Sequence, residues 1–167
     1  MTRSTWAKPA GLLAVLVLAL VASEVRPAVK PRAGSVPRER INPAGLNRPK
    51  GYTHVVTTRG GKHVFVSGQV ALDAEGNLVG KGDLKAQADK AYQNLSVALE
   101  AAGASFADVV KLHTYVVGYR PQHLAVLSEV RTRYIGEAAL PASTLLGVQA
   151  LAREGLLIEV EAVAVVP

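Results

Sequence analysis

A change of hydrophobic period along the chain sets the tightest limit on its fold. Leu84, Ala88, Ala91, Leu95, Ala98, Leu99 and Ala102 recur at three- and four-residue steps, the spacing of one apolar stripe on a helix. Asp83 precedes the stripe as a residue that can cap the first free amides. Gly103 follows it, where a helix C-terminus favours a residue free to adopt positive φ. Beyond this helix the period falls to two. Over residues 108–117, Val110, Leu112, Thr114 and Val116 lie on one face, and Val109, Lys111, His113, Tyr115 and Val117 on the other. Over residues 158–165, Ile158, Val160 and Ala162 face one way, and Glu159, Glu161 and Val163 the other.

The remaining elements follow from shorter signals. Residues 53–58 are β-prone, Arg59-Gly60-Gly61-Lys62 reads as a turn, and residues 63–70 read as the second strand of a hairpin. Asp73, Gly76 and Asn77 mark the next turn. Pro121 suits the first turn of a second helix, whose stripe is Leu124, Leu127, Val130 or Arg131, and Tyr134. Residues 144–148 read as a fourth strand. The order β-β-α-β-α-β-β predicts an α+β layer, with two helices covering one face of a single sheet. The opposite face carries Tyr115 and Val117 together with Lys111, His113, Glu159 and Glu161. Such a mixed face reads either as a subunit interface with polar pockets or as an ordinary solvated sheet face.

With 167 residues the chain holds one domain of ordinary size. It has no cysteine, which excludes disulfides, thiolate metal sites and cysteine nucleophiles. The net charge of +6 suggests nucleic acid until it is divided by region. Residues 1–50 hold nine of the nineteen basic and two of the thirteen acidic residues; residues 51–167 hold the other ten and eleven, a net of −1. The globular part lacks the basic face that a nucleic-acid domain carries, and no nucleic-acid partner is expected. At the N-terminus, Arg3 and Lys8 precede an apolar run over residues 10–22. Its 13 residues fall short of the ~20 needed to span a ~30 Å hydrocarbon core. Residues 1–23 therefore read as a secretory signal cleaved after Ser23 or, alternatively, as an uncleaved signal anchor, the one contact with a membrane. Residues 24–39, basic and proline-containing, read as a flexible linker, and residues 40–167 as the domain. The expected location is outside the cytoplasm, periplasmic or extracellular.

Several short motifs recur in one order. They are Arg40-Ile41-Asn42-Pro43, Val66-Ser67-Gly68-Gln69, Gln87 with Asn94-Leu95, and Gly103 with Asp108-Val109-Val110-Lys111. Arg133-Tyr134, Pro141-Ala142 and Ile158-Glu159-Val160-Glu161-Ala162 complete the set. With these landmarks, about three quarters of the chain resembles the RidA (YjgF) family. The resemblance implies a chorismate-mutase-like fold and a homotrimer with ligand clefts between subunits. It also implies hydrolysis of reactive imines and enamines to 2-oxo acids and ammonia, without metal or cofactor. Among the residues, Tyr52 matches the tyrosine that closes over the ligand. Ser67 and Gly68 match the strand lining the cleft, and Thr144 matches a position whose backbone meets the ligand. Glu159 matches the acid that orients water, and is the candidate catalytic residue.

The departure is at Ser143. In the family an arginine follows the Pro-Ala pair and holds the substrate carboxylate in a two-pronged contact; here Pro141-Ala142 is followed by Ser143. A neutral hydroxyl does not replace a guanidinium. Losing such a pair in a desolvated cleft costs about 2–5 kcal/mol, roughly thirtyfold to several-thousandfold in rate. Arg120, Arg131, Arg133 and Arg153 either supply charge to the cleft from elsewhere or, the simpler reading, are surface residues. The expectation is a trimeric protein whose clefts take a small carboxylate or imine-like metabolite but which lacks the standard 2-iminobutanoate/2-iminopropanoate deaminase activity. The alternative is an active hydrolase of a different imine or enamine. The four histidines show no metal-ligand spacing. His54 either edges the cleft beside Tyr52 or is an ordinary strand histidine. No nucleophile elbow surrounds any serine.

Overall fold

A computed structural model describes residues 36–137 and 140–167. The proposed signal and most of the linker lie outside the described residues. In chain order the strands are β1 (Arg38–Ile41), β2 (Val55–Thr58), β3 (Lys62–Val70), β4 (Val109–Val117), β5 (Ala142–Val148) and β6 (Ile158–Val166). Helix α1 (Leu84–Ala101) lies between β3 and β4, and α2 (His123–Tyr134) between β4 and β5. Four strands form one sheet in the order β3-β6-β4-β5. Its pairs are antiparallel except β4 with β5, which run parallel and are joined through α2. Among the described residues, no helix is long and apolar enough to cross a membrane.

Helix α1 forms as its sequence dictates. The Asp83 carboxylate accepts from the Lys85 and Ala86 amides at 2.9 and 3.1 Å. At the other end Gly103, with φ of 74°, donates to the Glu100 carbonyl, and Ala104 donates to that of Leu99. This double closure is the Schellman arrangement, which the left-handed glycine permits. Ala88, Ala91, Leu95 and Leu99 are fully buried against the sheet. Gln87, also fully buried, donates to the Gly80 and Gly155 carbonyls and accepts from the Leu157 amide. Asn94 donates to the Val70 and Leu72 carbonyls, both at 2.8 Å. The two amides tie α1 to the loops flanking β3 and β6, and so fix the helix on its layer.

The strand alternation holds. Leu112, Thr114 and Val116 of β4 and Ile158, Val160 and Ala162 of β6 are buried beneath the helices. Lys111, His113, Tyr115, Glu159 and Glu161 occupy the other face, half-buried. Val109 departs from the expected alternation: it is fully buried because the register shifts between Val109 and Lys111.

The expected hairpin of residues 53–58 with residues 63–70 does not form. β2 pairs instead with β1, in a separate two-stranded ribbon. β1 begins at Arg38, inside the stretch read as linker. Arg38 Nη2 meets Asp108 at 2.9 Å, with both side chains nearly enclosed, and also donates to the Val165 carbonyl. Asp108 in turn accepts from the Ser105 amide and hydroxyl. A buried ion pair this well hydrogen-bonded resists opening and pins the ribbon to the end of the sheet.

Candidate functional site

The sequence-predicted site residues separate into two groups. The first surrounds a cavity of about 290 Å³ on the helix side of β5, with Tyr52, Ser143 and Leu145 in its wall. Local backbone contacts bring Tyr52 there. The Thr53 amide donates to the Pro141 carbonyl at 3.0 Å, and the Thr53 hydroxyl to the Leu140 carbonyl at 2.7 Å. Thr53 then bridges in parallel to Ala142, the first residue of β5. Tyr52 and Ser143 thus flank one short junction. His54 lies edge-on to Tyr52, with ring centroids 5.2 Å apart, and its ring bonds the Asn47 carbonyl at 2.8 Å. His54 precedes β2 and is not among the residues lining the cavity.

The second group lies on the other face. Ser67 is exposed on β3, and Gly68 sits in the irregularity between Val66 and Gln69. The Glu159 carboxylate lies directly over Gly68, so that a Cβ there would collide with it. Thr144 belongs to this face, because neighbouring residues of a strand point oppositely. Its hydroxyl accepts from Lys111 Nζ at 2.8 Å, away from Ser143. Next to these groups Glu161 accepts from the Tyr115 hydroxyl at 3.1 Å and meets His113 Nδ1 at 2.9 Å. The Tyr115 phenol is held above its ordinary range by partial burial and by this bond. At the usual strand spacing β3 lies roughly 14 Å from β5, and β6 lies roughly 10 Å from it, with its Glu159 on the opposite face. Within one chain Glu159 and Ser67 therefore do not meet Ser143 and Tyr52.

The cavity also contains a residue for which the sequence favoured the surface reading. Arg131 does not lie on the surface: it is half-buried and lines the cavity. Its guanidinium packs over Gly51, where a Cβ would collide with it, and Nη1 donates to the Gly51 carbonyl. Lys50 stands exposed at the rim, and Thr114 and Tyr92 close the floor. The Tyr92 phenol is pushed up to about 12 by burial, against the opposing pull of the Arg131 charge and a hydrogen bond with Thr114. The signal for Arg131 was present in the sequence. It falls four residues after Leu127, on the apolar stripe of α2, where a cation has no reason to be unless it serves the interior. Among the described residues, no group of three or more His, Asp or Glu gathers where a metal ion could be held.

The element order and layering define an α+β protein of the chorismate-mutase-like type. The sequence model of the family described as Endoribonuclease L-PSP matches residues 45–166, and the chain belongs to that family, the RidA (YjgF) proteins. A RutC family protein of Pyrococcus abyssi is 38% identical over 104 residues, 62% of this chain and 79% of the relative. The 2-iminobutanoate/2-iminopropanoate deaminase of Mus musculus is 35% identical over 102 residues, 61% of this chain and 73% of that protein. Among solved structures, a conserved Rid-family protein of Yersinia pestis superposes with a TM-score of 0.71 at 44% identity, covering 77% of this chain and 98% of its own. RidA of a Psychrobacter species gives 0.57 at 31% identity, covering 72% and 92%.

Proposed function

We propose that this chain forms a trimer whose clefts, built from the β5 side of one copy and the β3–β6 side of the next, take a small carboxylate-bearing metabolite. The observation that carries the reading is the division of the matched cleft residues between two faces and two edges of one sheet. Tyr52 and Ser143 line a cavity on one side, and Glu159 over Gly68 waits on the other. A second copy is the simplest supplier of the missing half. An exposed apolar residue on each outer strand of the open face, Phe65 on β3 and Leu146 on β5, agrees with such an assembly. Relatives named as imine deaminases supply the substrate class by analogy.

Ser143 shifts the chemistry. With a hydroxyl on β5 in place of a guanidinium, the standard 2-imino acids lose their anchor, and hydrolysis of 2-iminobutanoate and 2-iminopropanoate is weak or absent. Retention of Glu159 over Gly68 favours a second reading, hydrolysis of a different imine or enamine. The near-neutral domain and the apolar cavity argue against an RNA substrate, despite the name of the family model. The N-terminal segment directs the chain out of the cytoplasm.

The test is an imine hydrolysis assay on the full chain beside Ser143→Arg, with the imines generated in situ by an amino-acid oxidase. The expected result is a gain of at least about thirtyfold in the variant. Wild-type hydrolysis equal to that of the variant would refute the loss of standard activity.

A further inference from the structure

Among the described residues, Arg131 is a half-buried cation with no carboxylate paired to it. Its Nε is buried with no acceptor, and its one hydrogen bond goes to a neutral carbonyl. Among the described residues, no aspartate or glutamate lines the cavity it faces. The Nε of Arg38 is likewise buried without an acceptor, but its guanidinium meets Asp108 at 2.9 Å, and Arg133, two residues further along α2, meets Asp89 at 3.2 Å; the difference at Arg131 is the missing carboxylate. Withdrawing a guanidinium from water without a counter-charge is unfavourable, and the same deficit draws in an anionic ligand. The hydroxyls of Tyr52 and Ser143 share the cavity, and the rest of the wall is largely aliphatic, with Leu124, Leu127 and Leu145. A few polar groups converging within an apolar wall suit a ligand with a charged head and an apolar body.

We propose that Arg131 is the carboxylate-holding residue of this chain. From α2 it supplies the cation that β5 lacks, and it selects a small monocarboxylate with an apolar tail. The inference rests on the reading of this cavity as part of the ligand cleft. Gly51 is the positioning residue: its lack of a side chain gives the guanidinium its seat, and its left-handed backbone, φ 77°, resists substitution. A head group held from the helix side sits differently from one held from β5. The bound acid is therefore displaced relative to Glu159 of the neighbouring copy, which accounts for a cleft that binds acids while handling the standard imines poorly.

Calorimetric titration of the full chain with 2-oxobutanoate, and with its neutral amide, tests the assignment. The wild type is expected to bind the acid and not the amide. Arg131→Gln is expected to weaken acid binding at least about thirtyfold, and Arg131→Lys to stay within about tenfold of wild type. Leu124→Trp, at an exposed position on the cavity wall, is expected to block binding. Ser143→Asp supplies an anion from β5; it is expected to abolish acid binding without lowering the thermal midpoint, and it keeps the test decisive should Arg131→Gln fail to fold. Wild-type affinity in Arg131→Gln together with a block by Leu124→Trp would overturn the role of Arg131 and keep the cavity as the ligand site. A lowered midpoint in Ser143→Asp would also overturn that role. Acid binding untouched by Leu124→Trp, or none in the wild type, would overturn the cleft reading and the assignment with it.

Discussion

The two faces of the four-stranded sheet solve the same problem of burial in opposite ways. Under the helices, every large side chain finds its partners within the chain. Leu95, Leu99, Leu112, Ile158 and Val160 are fully enclosed, and the buried amide of Gln87 has three hydrogen bonds. On the open face, charged and aromatic groups pair with neighbours on that same face. Glu161 is shared by Tyr115 and His113, Lys111 turns to Thr144, and Phe65, beside the His63 ring, is 77% exposed. The first face specifies the fold. The second carries the groups that the proposed assembly would use.

This contrast can be broken from either side. The largest effect is expected at the closed face. Leu95→Ala removes a fully buried side chain from the centre of α1, and chemical denaturation should register a loss of about 2–5 kcal/mol; a loss below about 1 kcal/mol would mean that this layer is less tightly packed than it looks. A smaller effect is expected in alkali. The folded Tyr92 phenol ionises near 12, above its ordinary value of 10.0. A group whose folded pKa is raised contributes stability that is complete below the unfolded value and is lost as pH rises through the folded one. The thermal midpoint should therefore fall between about pH 10 and 12, and Tyr92→Phe should flatten that fall. An equal slope in the variant would assign the alkaline loss to other groups, Tyr134 among them. The smallest effect on folding is expected at the open face. Phe65→Glu should change the stability of the single chain by no more than about 0.5 kcal/mol, yet sedimentation velocity should show the proposed trimer dispersed. An intact trimer would show that this face is simply solvated.

Much of this was legible before any tertiary structure. Periodicity alone located α1, and Asp83 and Gly103 marked its ends. Alternation in β4 and β6 sorted the buried residues from those of the open face, because side-chain direction along a strand is fixed by local geometry. Non-local pairing was not legible. The Arg59–Lys62 turn suggested a hairpin, but β2 pairs with β1, since the Arg38–Asp108 contact spans 70 residues and leaves no local trace.

The candidate site divides in the same way. Ser143 could be recognised from its place after Pro141-Ala142, and Glu159 from its strand. The sequence by itself determined which side chains each element offers, and to which face. Only the tertiary structure decided that Gly51 would seat Arg131 beside Ser143, and that the Glu159 carboxylate would lie over Gly68 of β3. The physical reason is one of range: helix stripes and strand alternation are set by neighbours a few residues away, whereas a cavity is enclosed by segments that meet only after the whole chain has packed.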